Sequence, residues 1–180
     1  DENGQSLTFT ATSSDESLVL VSTTTEGAGT SGTLTFDVQS EQNGTAEITV
    51  VITDDGTGNL TDSEIFTLTV NAVNDVPILT FIGNQSTDED TDLTIDLSAS
   101  DVDIDENGQS LTFTATSSDE SLVTVSTTTE GNGTMGTLTF DVQSEQNGSA
   151  DVTVTVTDSE GDTDSETFTL TVNAVNDVPI

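Results

Sequence analysis

The chain has 180 residues, of which 34 are acidic and none is Lys, Arg, His or Cys, and its formal charge at pH 7 is −34. Phosphate binding needs Lys or Arg, and anionic headgroups repel carboxylates, which excludes a nucleic-acid partner and an anionic membrane surface. Most nucleophile, general-base and oxyanion arrangements also lack their side chains, so we do not expect an enzyme. Bound cations remain as the only positively charged partners for the carboxylates.

The sequence contains two similar copies of a domain-sized repeat. Asp1–Val19 recurs letter for letter as Asp105–Val123, and Asn71–Ile78 recurs as Asn173–Ile180. A period of about 100 residues is far longer than that of solenoid repeats and indicates an array of small domains. Residues 79–104 have no counterpart before Asp1, so the first copy lacks its opening part. We expect either a fragment of a longer array or completion of the first copy by strands from a neighbouring molecule.

Apolar and polar residues alternate with a period of two in both copies, which predicts strands with one buried face. In Val152–Asp158, valines alternate with threonines, whose β-branched side chains suit the exposed face. In chain order, the predicted strands of the second copy lie near Ile78–Phe81, Leu93–Leu97, Leu111–Ala115, Leu122–Ser126, Met135–Val142, Ala150–Thr157 and Glu166–Val175. The first copy retains counterparts of the last five. Seven short strands in about 100 residues predict a two-sheet sandwich.

The two copies are joined by the short segment Asn74–Pro77. Pro77 has no N–H and restricts Val76 to extended backbone, which makes the linker stiff. We therefore predict two domains, a partial sandwich over residues 1–75 and a complete one over residues 76–180. No apolar run approaches the ~18 residues of a membrane span, so we expect no insertion into a membrane.

The acidic residues concentrate at the predicted turns. Three clusters fall in the second copy, at Asp88–Asp92, Asp101–Gly108 and Asp158–Asp164. In an extended loop, carboxylates at i, i+2 and i+4, such as Asp101 and Asp103, point the same way and can converge on one ion. Ca²⁺ takes six to eight oxygen ligands at about 2.3–2.6 Å. Solvated surface loops without a bound ion are the plain alternative. The absence of cationic side chains from the chain favours the interpretation that the loops bind calcium.

Several short motifs resemble those of cadherin repeats. Val73–Pro77 and Val175–Pro179 (VNDVP) resemble the cadherin linker, and Ser98–Asp103 and Val156–Gly161 resemble two of its acidic segments. The wider sequence around these motifs is most similar to the cadherin-like or Ig-like tandem repeats of giant bacterial surface adhesins, including their extender regions. The resemblance implies an all-β fold of tandem seven-stranded antiparallel Greek-key sandwiches, with the first copy incomplete in this chain.

The resemblance also implies Ca²⁺ as the cofactor, held where consecutive repeats meet. The implied ligands of the first junction are Asn74, Asp75, Asp101, Asp103, Asn107, Asp158 and Glu41. The implied ligands of the next junction are Glu89, Glu145, Asn176 and Asp177. Asp1, Asn3 and Asp54 of the first copy match Asp105, Asn107 and Asp158 and would form a half-site. The linker lacks the family's leading Asp and continues with Val76 after Asp75, so we expect fewer ions per junction than in animal cadherins.

The favoured function is a calcium-stabilised structural repeat, an extender or stalk of an extracellular, cell-surface adhesin. Near-identical copies serve length, whereas a binding site needs one copy. Its partners would be neighbouring repeats of the same chain, with a surface or glycan ligand bound elsewhere. Two alternatives remain open. One is a subunit of a self-assembling extracellular fibre, completed by strand donation from like chains. The other is a module that binds polysaccharide or ice.

Overall fold

The structure is a computed structural model that describes residues 5–27 and 29–176. The chain divides into two compact units, Asp1–Val73 and Asn74–Ile180. The second unit therefore begins two residues before the predicted boundary at Val76. The reason is that the Asn74 side chain and the Asp75 N–H hydrogen bond to carboxylates of the second unit.

Over residues 5–27 and 29–73, the first unit has five antiparallel strands in two sheets. The strands are β1 (Leu7–Ser13), β2 (Val19–Glu26), β3 (Ser31–Val38), β4 (Gly44–Asp54) and β5 (Thr61–Val70). One sheet has the order β1-β4-β5, and the other pairs β2 with β3. Its buried hydrophobic residues are Leu18, Val19, Ala46 and Ile48. These strands correspond to the five predicted for the first copy.

The second unit is a two-sheet sandwich. Its elements are β6 (Ile78–Leu79), β7 (Gln85–Asp88), β8 (Leu93–Ser100), α1 (Asp103–Asn107), β9 (Thr112–Ser117), β10 (Val123–Glu130), β11 (Met135–Val142), β12 (Gly148–Thr157) and β13 (Thr163–Asn173). One sheet has the order β10-β11-β8-β6, and the other β7-β13-β12-β9. The predicted all-β sandwich is confirmed.

Two features of the second unit depart from the prediction. The opening strand is split between the sheets, so that β6 pairs antiparallel with β8 while β7 pairs parallel with β13. The segment after Asp101 was predicted to be an extended loop. That prediction was wrong, because the helix α1 forms there and is capped by Gly108, whose φ is 70°. In a helix, residues i and i+4 share a face and residues i and i+2 do not. Asp103 and Asn107 therefore face each other, while Asp105 is exposed.

Alternation places one face of each long strand in the core of the second unit. Val152, Val154 and Val156 of β12 are fully buried, and the intervening threonines are partly exposed. Phe140 of β11 meets Phe168 of β13 edge to face, with ring centroids 6.3 Å apart. Such aromatic pairs add about 0.5–1.5 kcal/mol to the effect of burial. No helix among the described residues is long and apolar enough to cross a membrane.

Candidate metal centre

Polar side chains from three segments meet at the start of the second unit, in what we term the Asn74 cluster. Its members are Asn74, Asp75, Asp101, Asp103, Asn107, Gln109, Asp158 and Asp162. Asn74 Nδ2 donates to Asp158 Oδ2 at 2.9 Å and to Asp162 Oδ2 at 2.8 Å. Gln109 Nε2 donates to Asn74 Oδ1. One amide thus bridges two carboxylates of the β12–β13 loop.

Asp103 fixes the linker to the short helix. Its side chain is 2% exposed. Oδ2 accepts the Asp75 N–H at 2.7 Å, and Oδ1 accepts Asn107 Nδ2 at 2.6 Å. Asp75, Asp103 and Asn107, three of the predicted ligands, thus lie within one hydrogen-bonded network, and their role as metal ligands stays a prediction.

Asp158 organises the loop between β12 and β13. Its Oδ1 accepts the N–H groups of Glu160, Gly161 and Asp162 at 2.9, 2.6 and 2.8 Å. Burial of Asp158 opposes its ionisation, but the Asn74 amide and these three N–H groups outweigh burial and lower the pKa of the carboxyl. Asp158 is therefore a carboxylate at neutral pH, with its charge held by dipoles rather than by a cationic side chain.

Two buried oxygens of the Asn74 cluster have no hydrogen-bond partner, namely Asp101 Oδ2 and Gln109 Oε1. The other oxygen of Asp101 accepts the Asp103 N–H at 2.9 Å. Burial raises the pKa of Asp101, and the charges of Asp103, Asp158 and Asp75 raise it further. Buried acceptors without partners are rare and costly in proteins. Carboxylate and amide oxygens are also the ligands that Ca²⁺ prefers, so the donor set fits that ion.

Among residues 5–27 and 29–176, no three acidic side chains are arranged to hold a metal ion by themselves. Asp103 and Asp158 each use a carboxylate oxygen to accept backbone N–H groups, so these oxygens already have partners. An ion in the Asn74 cluster would therefore need amide or backbone oxygens beside carboxylates. Calcium sites commonly use such mixed ligands.

Glu89 and Glu145 lie at a different place in the second unit, near its last strand. Glu89 is 6% exposed, and its Oε1 accepts the Val175 N–H at 2.6 Å. Its Oε2 accepts Asn147 Nδ2 at 3.3 Å, and the Glu145 N–H donates to Asp90 Oδ1 at 3.2 Å. The loops that carry the two glutamates are thus neighbours, and their role as metal ligands stays a prediction.

The remaining predicted ligands are distributed as follows. Asp177, Asp1 and Asn3 lie outside the described residues. Glu41 belongs to the first unit, where it occupies the turn after β3 with φ 59°. Asp54 also belongs to the first unit and accepts the N–H groups of Gly56 and Leu60 at 3.2 and 3.0 Å. It therefore organises a turn, as its counterpart Asp158 does.

Four residues that form hydrogen bonds around the start of the second unit were not among the predicted ligands, although two of them, Asp162 and Asp164, lie within the predicted acidic cluster Asp158–Asp164. Asp162 and Gln109 belong to the Asn74 cluster. Asp164 and Glu166 of β13 accept backbone N–H groups from the opening strand of the unit. Recurrence between the copies would not have singled out these two acids, because β5 repeats them as Asp62 and Glu64 but nine of the ten aligned positions of the two strands are identical.

The fold and its acidic loops define an Ig-like or cadherin-like β-sandwich repeat. The chain belongs to the bacterial Ig domain family, whose model matches residues 74–171, more than half of the chain. No curated protein matches the sequence significantly.

Solved structures share the fold at low sequence identity. Protocadherin gammaB7 domains EC3-6, described as a cis-dimer, align with a TM-score of 0.58 and 16% identity over 93% of this chain and 41% of that chain. Protocadherin Gamma B2 extracellular cadherin domains 1-5 align with a TM-score of 0.56 and 20% identity over 94% of this chain and 34% of that one. Surface layer protein SbsC, domains 1-6, aligns with a TM-score of 0.46 and 20% identity over 94% and 20%. This chain thus spans less than half the length of each.

Proposed function

We propose that the chain is a calcium-stabilised structural repeat, an extender of an extracellular cell-surface adhesin. Its near-identical copies and its membership of the bacterial Ig domain family support a role in which the repeat provides length. The observation that carries the calcium part is the buried, partnerless Oδ2 of Asp101, beside other carboxylates and with no cationic side chain anywhere in the chain. Similar repeats of the same chain are its direct partners.

The residues of this chain that would hold calcium are the oxygen donors of the Asn74 cluster. Asp101 and Gln109 offer their partnerless oxygens, and Asp158 and Asp162 offer the carboxylates that now share the Asn74 amide. A bound Ca²⁺ supplies a full positive charge in a place where the chain itself supplies only N–H dipoles. It would therefore stabilise the folded second unit and tie the linker residue Asn74 to it.

The expected stabilisation follows from linkage. Extracellular calcium modules have Kd values of about 10⁻⁴–10⁻³ M. At ten times Kd, one site stabilises the folded state by about 1.4 kcal/mol, which raises the melting temperature of a domain of this size by roughly 6–11 °C. In an array, each repeat would gain this stabilisation from its own site.

The test combines calorimetric calcium titration with thermal unfolding, in chelator and in millimolar Ca²⁺. We expect Asp101→Asn to melt at a higher temperature than the unmodified chain in chelator, because it removes a buried charge that three other carboxylates repel. We also expect it to lose most of the increase that calcium causes. Asp96→Asn is the matched control, since Asp96 is exposed in the middle of β8. Equal calcium responses of the two variants, or no calcium response of the unmodified chain, would contradict the proposal.

A further inference from the structure

The second unit begins with a stretch of chain that runs beside its last strand, β13. We term this stretch, residues 79–89, the opening segment. Within it, β7 pairs parallel with β13, from Gln85 opposite Leu170 to Asp88 opposite Asn173. Before β7 the same alignment continues without a backbone ladder, because acidic side chains of β13 accept the N–H groups of the opening segment.

Two carboxylates of β13 hold the first half of the opening segment. Asp164 Oδ2 accepts the Leu79 N–H at 2.8 Å. The two oxygens of Glu166 accept the N–H groups of Ile82 and Gly83 at 2.7 and 2.8 Å. All three hydrogen bonds are partly buried and join a backbone donor to a carboxylate, which makes each about twice as strong as a neutral one. These side chains therefore attach to β13 a stretch of backbone that forms no ladder with it.

The second half of the opening segment is held by the β7 ladder and by contacts on either side of it. Asn84 Oδ1 accepts the Thr169 N–H at 3.1 Å. Beyond β7, the Glu89 N–H donates to the Asn173 carbonyl oxygen at 2.9 Å, and Glu89 Oε1 accepts the Val175 N–H at 2.6 Å. The contacts thus follow one another in the same order along both stretches, as in a single long parallel pair.

This parallel arrangement decides how tension along the chain acts on the second unit. The chain enters the unit at the start of the opening segment and leaves it after the end of β13, and these two points lie at opposite ends of the parallel pair. Tension therefore pulls the two stretches in opposite directions along their common axis, so that the hydrogen bonds between them share the load. Pulling on two points at the same end of the pair would instead break these bonds one at a time.

We propose that Asp164 and Glu166 make the opening segment and β13 a load-bearing clamp that resists tension along the chain. Without the two carboxylates, the clamp would consist of the short β7 ladder and the contacts next to it. Forced unfolding is governed by the unfolding rate, which rises when bonds that must break together are removed. The clamp rests on the proposed extender role for its source of tension, but neither Asp164 nor Glu166 is among the implied calcium ligands.

The first test compares two directions of pulling on the whole chain at constant force, in chelator. The chain has no cysteine, so introduced cysteines at exposed positions are its only points of thiol attachment. Val76→Cys with a cysteine added after Ile180 loads the clamp lengthwise, whereas Val76→Cys with Glu160→Cys pulls on two points at the same end. We expect the second unit to survive at least about tenfold longer under lengthwise load, because the charged hydrogen bonds then break together. Equal lifetimes would overturn the proposal.

The second test asks whether the carboxylates carry the load. Glu166→Ala removes two charged hydrogen bonds and should shorten the lifetime under lengthwise load about tenfold or more. Glu166→Gln keeps one acceptor oxygen, so its lifetime should fall between those of Glu166→Ala and the unmodified chain. Glu130→Ala removes the same charge from an exposed position at the end of β10 and is the matched control, with an unchanged lifetime.

Thermal unfolding in chelator shows that each variant is folded, and Glu166→Gln serves if Glu166→Ala is not. A lower melting temperature with an unchanged lifetime under lengthwise load would mean that Glu166 only stabilises the fold, and the proposal would be wrong. Equal shortening of the lifetime by Glu166→Ala and Glu130→Ala would also overturn it. Because every lifetime is measured in chelator, the clamp and the proposed calcium site can fail separately.

Discussion

At the scale of single residues, the carboxylates of this chain accept N–H groups instead of forming ion pairs with cationic side chains. Asp103, Asp158, Asp164 and Glu166 each accept backbone N–H groups that would otherwise lack partners. A hydrogen bond to a carboxylate is about twice as strong as a neutral one, and in a chain without Lys, Arg and His the side-chain charge in such a bond comes from Asp or Glu. Acidic residues therefore stabilise the conformations of the loops by accepting backbone N–H groups, in addition to lying on the surface.

Removal of the Asp158 carboxylate should destabilise the second unit strongly. Asp158→Ala leaves the N–H groups of Glu160, Gly161 and Asp162 without their acceptor, and we expect a loss of about 3 kcal/mol in the free energy of unfolding. Asp54→Ala is the matched change in the first unit, where the carboxylate accepts two N–H groups. Chemical denaturation in chelator measures both. A smaller loss for Asp158→Ala than for Asp54→Ala would contradict this account of the loop.

Stability should also depend on the ionisation of Asp119 in the turn before β10. The Ser121 hydroxyl, followed by the N–H groups of Ser121 and Leu122, lowers the pKa of Asp119 from its usual 3.8 despite some desolvation. A lowered pKa in the folded state contributes stability above pH 3.8, and this contribution disappears as the pH falls through the folded value. Asp119→Ala should therefore lower the melting temperature at pH 7 and have progressively less effect as the pH falls below 4.

Glu120→Ala is the control for the Asp119 prediction, since it removes the same charge from the neighbouring exposed position. Melting curves between pH 7 and pH 2 compare the two variants with the unmodified chain. An effect of Asp119→Ala that stayed constant over this range would show that the turn does not depend on the charge.

At the scale of elements, alternation predicted the long strands well and the short ones poorly. β11, β12 and β13 each carry a full row of buried side chains on one face, and this pattern is visible in the sequence. β7 has four residues, QSTD, and its only ladder is a parallel one to β13. A polar segment of this kind joins a sheet through its backbone, so its side chains give no periodic signal. The helix α1 is likewise too short to show a period of 3.6 residues.

The candidate site was also predictable in part, because some of its residues belong to a pattern that is visible in the sequence. Asp101, Asp103 and Asp158 belong to dense acidic motifs that the sequence displays. Asp162 also lies in the acidic motif Asp158–Asp164, but its hydrogen bond to Asn74, like that of Gln109, is a tertiary contact. Such contacts depend on how α1 and the β12–β13 loop fold, and sequence spacing does not fix them.

Equivalent core residues of the two repeats should respond differently to the same substitution. Phe140 is fully buried, whereas Phe36 is 37% exposed, although each meets a phenylalanine of the last strand edge to face at 6.3 Å. Phe140→Ala should cost about 3–5 kcal/mol, the usual range for a buried phenylalanine, and Phe36→Ala should cost less than half as much. Denaturation of the two variants gives both values. Equal costs would mean that Phe36 is as well buried in solution as Phe140.

At the scale of the whole molecule, the two units differ in how much core they have. Among the described residues, the core of the second unit includes side chains from every strand except β7, with Leu97, Leu138 and Val154 almost completely buried. In the first unit, complete burial is confined to residues near the β1–β2 turn and the start of β4. Burial of apolar surface is the main source of stability, at about 25 cal/mol per Å². We therefore expect the chain to unfold in two steps rather than one.

Hydrogen exchange can assign the two steps to the two units. Val50 and Val154 are equivalent positions on the central strands β4 and β12, and both strands are flanked by partners on each side. Local hydrogen bonding is thus the same, and a difference in exchange reports the stability of the unit around each residue. We expect the Val50 amide to exchange at least tenfold faster than the Val154 amide in chelator, after correction for intrinsic rates. Equal protection would contradict the expectation that the first unit is the less stable of the two.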